Sequence, residues 1–555
     1  MRAVPPPSRP AGEWSRRRAV LIAAIVSGAI ACAVFLPSIA FDFVRDDREL
    51  LLDGSRLRAP GTLLHVLASD YWSAAGGESG LWRPCAVFTL WVDGNLSGWS
   101  PAWFHAANVL AHGFTTFLLV LVVAAYGGGA VAMWLAGLWF GLMPAHVESV
   151  AWIAGRTDVW CALFALAALI LARDGRAGRR AGPAAFALAL LSKESAATIA
   201  PVFALPPAPA SEAAPAAATG TPSVAWKTAV PYLLVLALWA PLHALVVRPH
   251  PGLAGLKAEG AARLWTALAI PAWELRFLLP GVGHSPDWMI APLASPAPAA
   301  LVGLLLYAIA AVVIVRLAAA RDPLATPLAI VWFPLAGMSA LALTRGAVFS
   351  GERHVYLASA GAAWAVAVWI ERLRRSRAVP AVLTRNALLA VALIVAWSAR
   401  DTLATVPEWR DEETMYDAMA REQPLNATGP LGQALARIER GDDPGAWVAL
   451  ASAEAIDSTR YEIPLYRAGI VLRRGRPEEA MRLAREAGAT VGWNRDARLI
   501  EALALQRLGR WVEARNVLED LSAREPGDRD VRNAWRAQVA GETRAGRSAV
   551  PAPRR

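Results

Sequence analysis

The run AVLIAAIVSGAIACAVFLPSIA, residues 19–40, contains no charged side chain. A bilayer core about 30 Å thick needs roughly 20 apolar residues in a helix, so this run is long enough to cross one. It is too long for a cleaved secretory signal and reads as a retained anchor. Arg16, Arg17 and Arg18 precede it, and Phe41-Asp42-Phe43-Val44-Arg45-Asp46-Asp47 follow it. Ten more apolar runs recur along the chain, near 103–125, 129–143, 158–172, 182–203, 227–247, 262–280, 298–316, 324–343, 356–370 and 380–399. The seventh of the eleven is interrupted by Pro271 and Glu274. Hydrophobic residues reach 56%, above the apolar share of a soluble protein. The expected fold is all-α: a polytopic membrane helical bundle of about 11 spans, followed by a soluble helical domain.

The net charge of +10 excludes a nucleic-acid reading by its distribution. From Arg400 onward, 25 basic residues face 25 acidic ones, so the excess lies in short loops between apolar runs. No basic patch interleaved with aromatics is present, and no nucleic acid is expected as a partner. With the N-terminal tail (1–18) in the cytoplasm, the basic clusters at Arg173/Arg176/Arg179/Arg180, Arg248 to Arg263, Arg316/Arg321 and Arg372/Arg374/Arg375/Arg377 all fall inside. The first outer loop, about 41–102, is acidic instead. This is the asymmetry of the positive-inside rule, and it places the C-terminus outside. Cys32, Cys85 and Cys161 form no CxxC pair, so neither a disulfide framework nor a zinc site is expected. Residues 205–222 read as a Pro/Ala-rich linker, and 541–555 as a disordered tail.

Beyond 400 the chain has a period. Gly441, Gly475 and Gly509 are spaced by 34, as are Ala446, Ala480 and Ala514, and Ala434, Ala468 and Ala502. The segments Gly475-Arg-Pro-Glu-Glu-Ala480 and Gly509-Arg-Trp-Val-Glu-Ala514 resemble the turn and second-helix start of a tetratricopeptide repeat. Glycine permits the turn, and the small residues let antiparallel helices pack closely. A repeat α-solenoid of about three units is expected over 401–540.

The conspicuous polar residues fall in the outer loops: Asp46 and Asp47, Trp82-Arg83-Pro84, His146 and Glu148, Arg156, His284-Ser285-Pro286-Asp287-Trp288, and Glu352-Arg353-His354. A carboxylate at the membrane surface can act as general base toward a hydroxyl, while Arg, Lys and His stabilise a phosphate leaving group. That combination suits transfer of a sugar from a lipid phosphate. Structural readings stand beside it. The Asp pair serves equally as a solvated exit or helix cap, His146 and Glu148 as braces, and Arg353 and His354 as interfacial anchors. Lys193 and Glu194, inside an apolar run, are costly there and are either functional or ion-paired.

Phe43-Val44-Arg45-Asp46-Asp47, Trp82-Arg83-Pro84, Phe104-His105 with Asn108 and His112, and Pro144-Ala-His146-Val-Glu148-Ser-Val-Ala-Trp152-Ile-Ala-Gly155-Arg156 resemble, in order, the transmembrane and tetratricopeptide-repeat-containing O-mannosyltransferases. Leu191-Ser192-Lys193-Glu194 and Glu352-Arg353-His354-Val355-Tyr356-Leu357 continue the series. The resemblance implies a GT-C-like transmembrane domain over 19–400. It implies a glycosyltransferase using a polyprenyl-phosphate-linked sugar, and an acceptor protein or peptide bound through the repeats. By that resemblance Asp46 and Asp47 form the catalytic pair, with Asp46 the base. Arg83, His146, Glu148, Arg156, Lys193, Arg353 and His354 are then expected at the donor phosphate and sugar. The Ala/Arg/Pro-rich composition reads as bacterial, which points to an inner membrane and an undecaprenyl or decaprenyl carrier. Arg45 departs from the family, which often has an aromatic or small residue there. No cofactor is implied, although the Asp pair could hold a divalent cation as readily as act as a base. The alternatives are a non-catalytic membrane-anchored repeat scaffold for envelope protein assembly and, with no internal duplication to support it, a transporter.

Overall fold

The computed structural model describes residues 11–544 apart from 53–54, 76–78, 174–177, 207–225, 248–257, 287, 289–290, 347–349 and 525–527. Most of the expected linker at 205–222, from 207 on, and the tail beyond 544 therefore lie outside the described residues. The described residues are helical, with no strand among them. The chain forms two compact units, Met1–Asp411 and Glu412–Arg555. The helix Ala381–Thr405 runs through position 400, so the first unit extends past the expected boundary.

Among the described residues of the first unit, six helices are long and apolar enough to cross a membrane: Ser15–Ala40, Pro101–Ala125, Trp226–Val246, Pro298–Ala319, Ala325–Arg345 and Ala381–Trp409. A seventh arises if Ala130–Gly141 and Pro144–Ala151, bent by 53°, count as one broken span. Six or seven of the eleven expected runs thus form helices of that length and apolarity. Average hydropathy does not register helix breaks, and the other expected spans fall on helices that are short, broken or more polar. The run 182–203 splits into the α-helix Gly178–Ser192 and the 3-10 helix Glu194–Ala204, and the run 262–280 ends its α-helix at Glu274. The loop alternation that rested on eleven spans is lost with them, and sidedness then rests on the basic clusters alone.

The peripheral helices leave regular stripes of large apolar side chains uncovered, such as Leu234, Leu238, Leu242 and Leu245, or Leu301, Leu305, Ile309 and Val312. Patches of this kind are costly in water and fit contact with lipid. The inner helices approach through small residues. A Cβ on Gly28 would lie 2.7 Å from the Gly113 carbonyl oxygen, so the first span and Pro101–Ala125 touch backbone to backbone there. Cys32, Cys85 and Cys161 are free thiols.

The second unit begins with Glu412–Glu422 and continues as three helical hairpins: Thr428–Glu439 with Asp443–Ile456, Glu462–Arg473 with Pro477–Val491, and Arg495–Arg507 with Trp511–Arg524. Arg529–Arg544 follows them. Gly441, Gly475 and Gly509 sit at φ 78°, 74° and 69°, the left-handed conformation that glycine adopts without a Cβ penalty. The alanines at 434, 468 and 502 and at 446, 480 and 514 are all fully buried at helix contacts. The expected register is therefore the observed one. The last helix packs against Trp511 through Gly541, and a buried polar network secures it. In that network Gln506 donates to Gln538, Gln538 donates to Glu542, and Arg515 pairs with Glu542.

Candidate active site

The chain leaves the first span through a 3-10 turn, Leu36–Ala40, whose Pro37 stops the α-helix. It then strains: Arg45 adopts φ 52°, a region that costs a non-glycine residue energy and that clusters at functional sites. The strained residue turns the chain into the short helix Asp46–Leu51, whose first two residues are the acidic pair.

The two carboxylates are used differently. Asp47 is fully buried. Its Oδ1 accepts the Ala154 N–H at 2.8 Å and its Oδ2 accepts the Val44 N–H at 3.4 Å. Burial pushes its carboxyl up to about 8, against the downward pull of those N–H groups. Asp46 is half-buried, and among the described residues its carboxylate has no hydrogen-bond or ion-pair partner. The Tyr71 ring lies 5.6 Å from the Arg83 guanidinium, and its buried hydroxyl, which bonds to no other group among the described residues, lies in the fields of Arg83, Asp46, Asp47 and Arg156.

The turn that Asp47 grips is built around Trp152. Asn108, from Pro101–Ala125, donates to the carbonyls of Val150, Trp152 and Ile153 at 3.2, 3.0 and 3.4 Å. This holds the chain where Val147–Ala151 ends. The Trp152 ring stacks on Trp409, and two guanidiniums lie near it, Arg45 at 5.5 Å and Arg353 at 5.2 Å. Arg45 also donates to the Pro286 carbonyl at 2.7 Å.

Three cations each carry a carboxylate partner. Arg83 forks onto Glu194, with Nη2 to Oε2 at 3.0 Å. Lys193 Nζ reaches both oxygens of Asp158 at 2.6 Å. Arg353 pairs with Glu148 at 3.5 Å, and Glu148 also accepts the Arg353 N–H. All three cations act on His354. Burial first, then the fields of Arg353, Lys193 and Arg83, hold its imidazole well below the ordinary range. These four residues therefore form one basic cluster, with Arg45 joined to it through Trp152. Cations balanced by carboxylates are held in place yet able to exchange a partner for phosphate oxygens.

Two expected site residues lie elsewhere. His146 is fully buried, its ring packed on Phe140 and Tyr356 and its Nε2 bonded to Ser359 at 2.8 Å. Arg156 is likewise enclosed, paired with Asp93 at 2.6 Å and donating to the Phe104 carbonyl at 3.0 Å. It braces Arg156–Ala172 to the outer helix Pro84–Ser97. Sequence reasoning missed the partner Asp93 and the pairing of Asp158 with Lys193. It also missed the outer clamp in which His284 bridges Glu352 and Asp401, both at 3.0 Å. Glu194 adjoins Lys193, which suggests a mutual pair, but the two point to different partners. Among the described residues, no three His, Cys, Asp or Glu side chains converge as metal ligands.

Comparison with known proteins gives two likenesses. The tetratricopeptide repeat family matches residues 471–538. The chain is 31% identical over 153 residues to a mouse protein named protein O-mannosyl-transferase TMTC2, which covers 27% of this chain and 18% of that one. Against fruit-fly protein O-mannosyl-transferase Tmtc1 the identity is 30% over 178 residues, covering 31% and 21%. Against human protein O-mannosyl-transferase TMTC4 it is 33% over 161 residues, covering 26% and 22%. The matched segment thus spans about a fifth of these relatives' length. The crystal structure of yeast Tom70 aligns over 83% of this chain and 85% of its own at 11% identity, but its TM-score of 0.22 is too low to support a fold argument. Over roughly a quarter to a third of its length, then, this membrane-helix and repeat chain is similar to proteins named protein O-mannosyltransferases.

Proposed function

We propose that this protein is a membrane glycosyltransferase of the GT-C type that moves a hexose, mannose first among them, from a polyprenyl phosphate to a protein Ser or Thr hydroxyl. The observation that carries the proposal is the contrast within the acidic pair. Asp47 is spent on the backbone, while Asp46 stands half-exposed and, among the described residues, without a partner, near Tyr71, whose ring packs beside Arg83 of the basic cluster. Asp46 takes the proton of the acceptor hydroxyl as its oxygen attacks the sugar's anomeric carbon. The bond from that carbon to the phosphate oxygen breaks, its electron pair stays on the phosphate, and the configuration inverts. Arg83, Lys193 and Arg353 receive the growing negative charge. In this reading the basic clusters hold the N-terminus in the cytoplasm, and the site and repeat unit lie outside, where the repeats present the acceptor. The names of the similar proteins support the reaction class.

The test is intact-mass glycoproteomics of a deletion strain complemented with the wild type or with Asp46→Asn. A hexose lost from secreted proteins and restored only by the wild type is expected. Full restoration by Asp46→Asn would sink the catalytic assignment.

A further inference from the structure

A buried carboxyl in the first unit makes no well-formed hydrogen bond. Glu274 ends the helix Ala262–Glu274 and is 1% exposed, yet neither carboxylate oxygen has a hydrogen-bond partner. The Ser350 hydroxyl, also hidden from solvent, is unbonded as well. The Ser350 hydroxyl and the Gly351 amide lie within reach of Glu274, yet neither meets the distance and angle of a formed hydrogen bond, and the charges of Arg276 and Glu148 act on it. Arg276 makes no ion pair with it, and its guanidinium instead rests on Trp288 at 4.4 Å and Phe277 at 4.6 Å. The rest of the helix packs on apolar groups, with Ala267 and Ile270 against Ala342 and Met338.

Such an arrangement is unfavourable for the protein alone. Buried polar groups in native structures are nearly always bonded, and an unbonded carboxylate costs several kcal/mol. An apolar residue of the same size would be more stable at this position. A group kept despite that cost is expected to find its partner in a ligand.

The neighbours indicate which ligand. Ser350 opens the segment that continues through Gly351 into the 3-10 turn Glu352–Val355. Three residues on, Arg353 belongs to the basic cluster, and Glu148, which pairs with Arg353, also lies beside Glu274. A phosphate held by the cluster would therefore have its substituent next to Glu274 and Ser350. We propose that Glu274 and Ser350 form the polar wall of a sugar subsite, in which the Glu274 carboxyl binds two neighbouring hydroxyls of the hexose carried on the lipid phosphate. A carboxyl offers two adjacent oxygens to a vicinal diol, and the serine hydroxyl can donate or accept to a third group. The proposal rests on the lipid-phosphate reading above and adds the residues that select the sugar.

The test uses the full chain in detergent, with undecaprenyl phosphate and its mannose, glucose and galactose phosphodiesters as probes. Affinities are measured for the wild type, Glu274→Met and Ser350→Ala, together with the unfolding midpoint of each. The wild type should prefer at least one sugar-bearing lipid over bare undecaprenyl phosphate by about tenfold or more, the worth of one or two hydrogen bonds to a charged group. Glu274→Met should lose that preference, keep the affinity for the bare lipid phosphate, and unfold at a higher temperature. Ser350→Ala should lose part of the preference. A Glu274→Met protein that keeps the preference, or that is destabilised, overturns the subsite and leaves the lipid-phosphate reading standing. A wild type that binds the bare lipid phosphate but prefers no sugar does the same. A wild type that binds none of the lipids overturns both.

Discussion

Substituting each member of the acidic pair in turn should separate structure from chemistry. Asp47→Ala leaves the Ala154 N–H, now bonded at 2.8 Å, without an acceptor in a buried place, along with the more weakly held Val44 N–H at 3.4 Å. An orphaned buried donor costs about 1–3 kcal/mol, and the longer bond adds a fraction of that. The loss should centre on the Trp152 turn, so hydrogen exchange followed by mass spectrometry should show faster exchange over 150–156 and a lower unfolding midpoint in detergent. Asp47→Asn keeps one acceptor and mimics the neutral acid. Its effect depends on pH, and the sign is fixed by the folded carboxyl lying near 8 against an unfolded value of about 3.9. A carboxyl raised in the folded state contributes stability that is fully present below the unfolded value and lost as pH rises through the folded one. The wild-type midpoint should therefore fall from about pH 4 to about pH 8 and level off above it, and that slope should flatten in Asp47→Asn. Asp46→Asn, which breaks no bond, should leave exchange and midpoint within about 0.5 kcal/mol of the wild type. It should cut sugar transfer by about a hundredfold or more, the contribution of a general base. If Asp46→Asn destabilises the protein as much as Asp47→Ala, or if Asp47→Ala leaves exchange at 150–156 unchanged, the division of labour is wrong.

Three further outcomes follow from the geometry. Burial works against charge on His284, but the Glu352 and Asp401 carboxylates raise its imidazole to about 9. Its clamp should hold fully below about pH 6.5 and loosen as pH rises through 9. A fluorescence change of the environment near Trp288, absent in His284→Gln, would show it, and a flat titration would refute it. Lys193→Met strands Asp158 and should cost about 3–5 kcal/mol, whereas Lys193→Met with Asp158→Leu should recover most of the stability without recovering transfer. In the repeats, Gly475→Ala meets no atom within 4 Å and should cost only the left-handed strain, about 1–2 kcal/mol. Ala480→Leu enters a fully buried contact and should cost at least as much through overpacking. Unfolding midpoints that reverse the sign of either change would contradict the repeat register.

The repeat unit was legible because its signals are local. A glycine that must turn left-handed and an alanine with no room to grow leave their marks at fixed spacing, and both marks fall where the helices meet. The basic cluster was legible in composition only. Arg83, Lys193, Arg353 and His354 were expected to act together, and the structure gathers them, but their partners come from distant helices. The pairing of Lys193 with Asp158 and of Glu194 with Arg83 follows from the backbone at Lys193. It is extended, at φ −159° and ψ 142°, so consecutive side chains diverge. His146 and Arg156 were singled out as charged or polar residues in a loop, and nothing in their spacing marked them as enclosed by Phe140, Tyr356, Asp93 and Phe104. Glu274 entered the sequence argument only as an interruption of an apolar run.

The overestimate of spans and the position of the candidate site share one physical cause. Five expected runs are not among the six helices long and apolar enough to cross a membrane, and each carries or adjoins a polar group of the site region. The run at 129–143 breaks before Glu148, the one at 158–172 starts at Asp158, and 182–203 breaks at Lys193. The run at 262–280 ends its α-helix at Glu274, and 356–370 begins just after Arg353 and His354. Within a bilayer, backbone can leave the helix only where protein or a polar cavity satisfies its N–H and C=O groups, and charges persist there only where they have partners or a function. Apolar runs broken at charged residues that pair across the breaks suit the proposed transferase, which has to hold a phosphate at the edge of the lipid. Uninterrupted helices, such as the peripheral ones with exposed leucines, chiefly anchor the molecule, and Trp226–Val246 reaches the cluster only at its end, where His243 lies 3.9 Å from Glu194. Restoring continuous apolar sequence at a break, for example with Lys193→Leu and Glu194→Leu together, should therefore favour a longer helix there while removing one cation of the cluster and the carboxylate partner of another.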